Sequence, residues 1–344
     1  MSRTFLITGG AGFIGSNFVH HLRARYPDDR VVVLDALTYA GSLASLPPFD
    51  AIKDDHLRFW YGNVKNGTLV DALVAEADVV VHFAAETHVT RSIYDNYSFF
   101  ETDVLGTQTV ANAIVKFRDR IQRFIHISSS EVYGTAETPL MAEDHPLNPR
   151  SPYASAKAGA DRLVASYFYS WEIPAVILRP FNNFGPRQHL EKVLPRFITS
   201  SLLGEELHVH GDGEARRDFI FVEETCRAID LAIHTDAKKV VGQVINIGTG
   251  VDISTNEIAD KVLSAFERPQ GARRFIGDRP GQVRRHTSDC RKAKDLLGFE
   301  NRISFDEGLA RTVAWYRDNR KWWEAQLWMR RVPIRTAEGK VEYH

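Results

Sequence analysis

Through the first half of the chain, short apolar runs alternate with stretches in which apolar positions recur every three or four residues, the pattern of strands separated by helices. Thr4–Thr8, Val31–Asp35, Leu57–Tyr61, Val79–Phe83, Arg123–Ser128 and Ala175–Arg179 read as strands. Helical periodicity fills the gaps, first at Ser16–Tyr26 and most clearly at Phe99–Phe117 and Tyr153–Tyr169. Because the strand runs carry few polar positions, they predict a parallel sheet covered on both faces: an α/β, doubly wound fold. Past Asn182 the elements shorten and turn signals multiply, at Gly211-Asp212-Gly213, Gly248-Thr249-Gly250 and Asp278-Arg279-Pro280-Gly281. The chain therefore divides into a larger α/β unit at 1–181, a smaller α/β unit at 182–330 laid over the C-terminal edge of the sheet, and a tail at 331–344. Val244–Ile247 reads as one more core strand, so a segment near 243–248 returns to the first unit.

The opening run, Phe5-Leu6-Ile7-Thr8-Gly9-Gly10-Ala11-Gly12-Phe13-Ile14-Gly15, passes from a buried strand through a glycine turn into a helix. Gly9 permits the turn, Gly12 lets backbone N–H groups approach a pyrophosphate, and Gly15 seats the helix on the strand. About 20 residues further on, the second strand ends at Asp35, the usual place for an acid that binds the adenosine ribose. A carboxylate there accepts from the 2′- and 3′-hydroxyls and repels a 2′-phosphate, which favours NAD over NADP. The same Asp could instead cap the turn after its strand.

Composition narrows the partners. With 344 residues and a formal net charge of −1, the chain has no field to attract nucleic acid or an anionic membrane, so an anionic ligand must be held by local donors. Cys226 and Cys290 match neither a metal-ligand nor a disulfide spacing, and no metal is expected. The N-terminus lacks a signal-peptide succession, and no apolar run reaches the roughly 18 residues of a membrane span. A cytoplasmic address is expected. The segment from Lys321, with Trp322, Trp323, Trp328 and Arg330-Arg331, reads as a packing or interface arm.

Tyr153-Ala154-Ser155-Ala156-Lys157 sets a phenol and an ammonium one helical turn apart on one face. A Lys⁺ near a phenol lowers its pKa from about 10, which would make Tyr153 an acceptor for a hydroxyl proton. Upstream, Phe124–Ile127 runs into Ser128-Ser129-Ser130-Glu131, placing hydroxyls and a carboxylate where open α/β sheets keep their ligands. Either pattern alone also occurs in ordinary amphipathic helices and turns.

Taken with the glycine loop, Tyr153-x-x-x-Lys157 and Ser129 resemble the extended short-chain dehydrogenases that act on nucleotide sugars, closest to the nucleotide-sugar 4,6-dehydratases of the dTDP-glucose type. The resemblance runs nearly end to end, through Leu37–Gly41, Ala84–Val89, Glu131–Gly134, Ser151-Pro152-Tyr153, Asn182–Pro186, Glu191-Lys192, Arg217-Asp218 and Trp315-Tyr316. It implies a Rossmann-type sheet and bound NAD contacting Gly9, Gly12, Phe13, Ile14, Gly15, Asp35, Thr38, Asn63, Val64, Ala84, Tyr153 and Lys157. It also implies a nucleotide-diphosphate sugar held by Glu86, Thr102, Asn182, Asn183, Lys192, Arg217 and Arg279, and a homodimer formed through a four-helix bundle of Phe99–Phe117 and Tyr153–Tyr169. The implied reaction oxidises C4 of the sugar, with Tyr153 taking the hydroxyl proton beside Ser129 and Lys157. Glu131 then removes the C5 proton, the 6-hydroxyl leaves as water, and hydride returns to C6.

One position departs from that group. The dTDP-glucose enzymes place Asp-Glu after the hydroxyl residue, the Asp acting as acid for the departing hydroxyl, whereas this chain has Ser130-Glu131. A serine hydroxyl is far too weak an acid to replace a carboxylic acid. Either Glu131 both takes the C5 proton and delivers it to oxygen, or the 4-keto intermediate serves a 4-epimerase or a UDP-glucuronate decarboxylase, the latter with Arg217 or Arg187 facing C6. A dinucleotide-binding sensor without catalysis is a further reading.

Overall fold

The computed structural model describes residues 2–50, 54–277 and 283–330, together with the strand segments 333–335 and 341–343. Strands β1 (Thr4–Thr8), β2 (Arg30–Asp35), β3 (Leu57–Tyr61), β4 (Val79–His82), β5 (Arg123–Ile127) and β6 (Ala175–Pro180) fall within a residue or so of the predicted runs. Three short strands follow, β7 (Asn182–Phe184), β8 (Leu207–His210) and β9 (Arg216–Phe221), before β10 (Val244–Ile247). The last strands named here are β11 (Asp252–Ser254), β12 (Arg273–Ile276) and β13 (Arg285–His286). Seven of these pair in the order β10-β6-β5-β4-β1-β2-β3, every pair parallel. The 3-2-1-4-5-6 order within it defines a Rossmann-type doubly wound sheet, as expected, and β10 extends its edge.

Alternate residues of the central strands feed two separate cores. Phe5, Ile7, Val31, Val33, Ile125 and Leu178 pack against the helix Phe13–Arg25 and the helix Val222–His234 on one face. Leu6, Val32, Leu34, Val80, Phe124 and Ile177 face the helices Gly67–Val74, Thr107–Lys116 and Pro152–Trp171 on the other. The period of two along each strand thus explains why a run that looks uniformly apolar belongs inside a sheet covered on both sides.

The remaining strands build a second layer. Strand β9 lies between β11 and β13 and also pairs with β7, while β12 pairs with β8. A third core, including Phe184, Phe197, Phe221, Leu309, Tyr316 and Trp323, fills the space beneath them. Trp323 is fully buried and its indole N–H donates to the Tyr316 carbonyl at 2.7 Å, so the Trp322-Trp323 segment packs into this core. Trp328 is largely exposed, and Arg331 lies outside the described residues.

One buried ion pair ties the helix Pro152–Trp171 to the sheet. Asp161 receives both prongs of the Arg179 guanidinium, each at 2.9 Å, and Ser128 donates to the same carboxylate at 2.7 Å. Arg179 also donates to Tyr133, whose hydroxyl donates to Asn246 in β10 at 2.7 Å. Burial alone would raise the Asp161 pKa, but the bidentate guanidinium and Ser128 outweigh it and hold the carboxyl well below its ordinary range. Removing one member of a buried, bonded pair leaves the other charge stranded. Asp161→Ala should therefore cost about 3–5 kcal/mol of unfolding free energy in urea at neutral pH. Because the folded pKa is depressed, the wild-type advantage over the variant should be complete above the unfolded value of about 3.9 and shrink as pH falls below it.

Candidate active site

The carboxyl ends of β1, β2, β4, β5 and β6 open onto one cavity of about 460 Å³. At its floor, Gly9 has a φ of +69°, and a Cβ there would lie 2.6 Å from the Ala84 backbone nitrogen. A Cβ at Gly15 would come within 2.4 Å of the Gly9 carbonyl oxygen, so both glycines are required by contact with backbone that cannot yield. The helix Phe13–Arg25 starts at Gly12 with no side-chain cap and no acid in its first turn. Gly12, Phe13 and Ile14 line the cavity, so the helix presents uncapped N–H donors where a pyrophosphate would sit.

Asp35 fixes the turn after its strand and lies at the cavity edge. Its carboxylate accepts from the Ala11 N–H at 2.9 Å and the Leu37 N–H at 2.8 Å. Burial raises its pKa, and these two N–H donors work in the opposite direction. Thr38, Asn63, Val64 and Ala84 lie along the same wall. Asn63 turns its carbonyl oxygen back to the Lys65 N–H at 2.9 Å.

Across the cavity, Ser151 caps the helix Pro152–Trp171 by accepting from the Ala154 N–H at 3.1 Å, with Pro152 in its first turn. That start fixes Tyr153 and Lys157 on the face toward β5. Lys157 is buried and donates to the Ile127 carbonyl at 2.8 Å. Ser129 caps the short helical turn Ser130–Tyr133, its hydroxyl accepting from the Glu131 N–H at 3.2 Å, and it also hydrogen-bonds the Tyr153 phenol. Ser130 is almost fully buried, whereas the Glu131 side chain is about one-fifth exposed.

The structure corrects one expectation about this pair. Burial pushes the Tyr153 phenol above its ordinary pKa, with the Ser129 bond opposing and the charges of Asp103 and Glu131 adding to the rise. The Lys157 ammonium is committed to the Ile127 carbonyl and to the field of Asp103 and Asp161, so the protein by itself does not make Tyr153 acidic.

Other features were hidden from the one-dimensional pattern. Within the predicted helix Phe99–Phe117, Phe100–Gly106 is a π-helical stretch between α-helical segments. It places Thr102 on the cavity and buries Asp103 behind it. One Asp103 oxygen accepts from the Glu86 N–H at 2.7 Å, and the other has no hydrogen-bond partner. Burial raises the Asp103 pKa to about 7 against the pull of Lys157. Glu191 forms a second buried knot: Tyr39 donates to it at 3.1 Å, His88 lies 3.1 Å away and Lys192 3.3 Å away. Burial opposes its charge, but Lys192, His88 and His189 together hold its pKa below the ordinary value.

All the candidate residues that are described therefore meet. Those expected at the cofactor, together with Ser129, Ser130, Glu131, Glu86, Thr102, Asn182, Asn183, Lys192 and Arg217, all line this cavity. Arg279 lies outside the described residues. Arg187 does not join the lining; it donates to Asn17 at 3.0 Å and stacks over Trp315, so it is not placed to face a sugar C6. Arg216 and Arg285 pair with Asp252.

A Rossmann-type sheet whose glycine loop, strand-end acid and Tyr-x-x-x-Lys helix share one cavity defines a short-chain dehydrogenase-type enzyme class. Within that class, residues 6–312 match the family model described as GDP-mannose 4,6 dehydratase, and the chain belongs to that family. It is 46% identical over 311 residues to the low-salt glycan biosynthesis protein Agl12 of Haloferax volcanii, covering 90% of this chain and 97% of that one. A dTDP-glucose 4,6-dehydratase of Streptomyces antibioticus is 43% identical, with 93% and 94% covered. The crystal structure of DesIV, a dTDP-glucose 4,6-dehydratase of Streptomyces venezuelae with NAD and TYD bound, superimposes with a TM-score of 0.88 at 41% identity. That match covers 94% of this chain and 99% of DesIV.

The raised Asp103 pKa has a measurable sign. A carboxyl that binds its proton more tightly when folded loses relative stability as pH rises from its unfolded value of about 3.9 through the folded one. Urea unfolding of wild type and Asp103→Asn between pH 4 and 8 should show wild type losing stability against the variant steadily from about pH 4 to about 7 and levelling off above that. A constant difference across that range would refute the assignment.

Proposed function

We propose that the chain is an NAD-dependent nucleotide-sugar 4,6-dehydratase, a lyase that converts a hexose nucleotide to its 4-keto-6-deoxy form. The observation that carries this reading is the meeting of Ser129, Glu131, Tyr153 and Lys157 on the same cavity as the uncapped glycine-loop helix. The NAD-bound dTDP-glucose 4,6-dehydratase of similar fold supports it. NAD fits the loop-facing half: backbone donors of Gly12–Gly15 for the pyrophosphate, Asp35 for the ribose, and Thr38, Asn63, Val64 and Ala84 along its wall. When bound, it supplies a hydride acceptor at C4 and a donor at C6.

Tyr153 receives the 4-hydroxyl proton, oriented by Ser129, with Lys157 one helical turn on, held against the Ile127 carbonyl on the same cavity. Glu131 takes the proton from C5, made acidic by the ketone, and water leaves from C6. Glu86, Thr102, Asn182, Asn183, Lys192 and Arg217 hold the sugar diphosphate, with Arg279 added from the sequence resemblance. Lys192 donates to the Thr87 carbonyl at 3.1 Å, which keeps its stem against the cavity wall. Residues 1–181 with β10 form the cofactor unit and 182–330 the substrate unit. The unpaired cysteines agree with a reducing, cytoplasmic setting.

Incubated without added cofactor, the purified protein should convert at least one of dTDP-glucose, UDP-glucose and GDP-mannose to a 4-keto-6-deoxy product. Tyr153→Phe should form no NADH on mixing, and Glu131→Gln should oxidise C4 yet lose exchange of the C5 hydrogen with deuterated water. Ser130 favours a second reading, and 4-inverted sugar, or a pentose with carbon dioxide from UDP-glucuronate, would replace dehydratase by epimerase or decarboxylase.

The chain also forms a homodimer in this reading. Tyr97, Leu105, Tyr169 and Trp171 stand exposed on the segment that includes Phe100–Gly106 and on the helix Pro152–Trp171, an apolar surface that a second copy would cover in a four-helix bundle. Light scattering at micromolar concentration should give twice the chain's mass; a monomer mass would contradict it.

A further inference from the structure

Dehydration needs two proton movements, one from C5 and one to the departing oxygen, and Ser130 cannot serve the second. The structure sets an unassigned titratable group beside Glu131. His286 is fully buried, and its Nδ1 lies 3.8 Å from the Glu131 Oε1 with no hydrogen-bond partner. Its Nε2 contacts the Gly134 carbonyl, which can only accept, so Nε2 carries a hydrogen. A bare Nδ1 facing an ionised carboxylate in a buried setting would oppose two electron-rich atoms; one proton between them turns that repulsion into a bond.

The fold holds the two groups in this relation. Strand β13 pairs with β9, placing His286 in register with Arg217, and the segment after Glu131 is strapped to the same strand region. The Ala136 N–H donates to the Arg285 carbonyl at 3.4 Å, and the Met141 N–H to the Thr287 carbonyl at 2.8 Å. The groups that act on the ring are Glu131, Arg217, His145 and the Gly134 carbonyl, and Phe181 packs edge-on at 6.4 Å. Burial, Arg217 and His145 disfavour an isolated imidazolium, and Glu131 and Gly134 favour it.

We propose that His286 is a positioning residue that shares one proton with Glu131 Oε1, leaving Oε2 to carry the C5 proton to the departing C6 oxygen. This rests on the dehydratase reading. The C5–H bond breaks as the C5=C6 bond forms and the C6–O bond breaks. The proton passes from C5 to Oε2 and on to the oxygen, which leaves as water, and the pair begins and ends with its single shared proton. A modest closure of the 3.8 Å gap brings Nδ1 and Oε1 into bonding range, as catalytic contacts tighten around substrate.

The test uses dTDP-glucose, UDP-glucose and GDP-mannose in turn, following C4 oxidation by bound NADH and elimination by product formation, both against pH. His286→Phe should oxidise C4 at the wild-type rate yet eliminate water about 100-fold more slowly, the upper range for loss of a hydrogen bond to a charged group. The alkaline fall in wild-type elimination, where the pair loses its proton, should vanish. His286→Gln, which keeps a donor but cannot titrate, should recover part of the rate without the pH limb, and decides the matter if the Phe variant does not fold. Wild-type elimination or an unchanged pH limb in a folded variant overturns the role of His286 alone. Absence of C4 oxidation by wild type with all three sugars overturns the dehydratase reading and this role with it.

Discussion

The bidentate contact between Asp161 and Arg179 is the constraint on which the site depends. Asp161 lies one helical turn beyond Lys157 and two beyond Tyr153, so fixing it against β6 fixes the rotation of the whole helix. A further bond, from Ser128, reaches the residue immediately before Ser129. One carboxylate therefore sets the phenol and the ammonium on one side of the cavity and the hydroxyl–carboxylate turn on the other. A hydrophobic contact of similar size could supply the stability, but it would not fix direction; two forked hydrogen bonds do.

A second consequence follows from burying so much charge near Lys157. The ammonium shares its surroundings with Asp103, Asp161 and two buried imidazoles, His82 and His126, whose rings lie 5.6 Å apart. Burial lowers the His82 pKa to about 3, and Lys157 pushes it the same way, so both effects keep this ring neutral. His82 sits between the Thr8 and Thr107 hydroxyls, at 2.6 and 2.9 Å, which satisfies both ring nitrogens without charge. Neither imidazole therefore competes with Lys157 for positive charge; burial lowers the Lys157 pKa, and Asp103 and Asp161 work against that fall. The π-helical stretch contributes by turning Asp103 inward while leaving Thr102 on the cavity; a regular helix would present a different pair.

The parts of this arrangement that were legible in the sequence are those set by local chemistry. Gly9 and Gly15 are demanded by backbone contacts a few residues away or by the neighbouring strand, and Tyr153 and Lys157 share a face through helical spacing alone. The central strands were legible because burial on both faces leaves apolar runs. What was not legible depends on contacts distant along the chain. The Asp103 side chain reads as one more polar residue in an amphipathic helix until the π-turn buries it against Glu86. Glu191 looks like an exposed member of an acid–base pair, yet Tyr39 and His88 reach it from another part of the fold. The lowering of the Tyr153 pKa by Lys157 was inferred from proximity, and it failed because proximity omits the cost of desolvation and the carbonyl to which Lys157 is bound.

Ser130 sits where the buried site and the second layer meet. A small buried hydroxyl stands there in place of the acid seen at the matching position in the dTDP-glucose group, so Glu131 must both take and deliver the proton, and a neighbouring donor would hold its carboxylate for that double task. The segment that could hold it arrives from about 155 residues further along the chain, on β13, which pairs with the strand that brings Arg217 to the cavity wall. Asp218, next to Arg217, accepts from the Thr249 and Gly250 N–H groups at about 3 Å and contacts the Ser288 hydroxyl. This knot locks the strand that carries His286 to the strand that carries Arg217. The second layer therefore does more than cover the cavity: its own buried carboxylate holds the segment that carries His286 beside the strand that carries Arg217. A site with Ser at this position has the imidazole poised near Glu131, and a proton is shared between them only once the remaining gap closes to hydrogen-bonding distance.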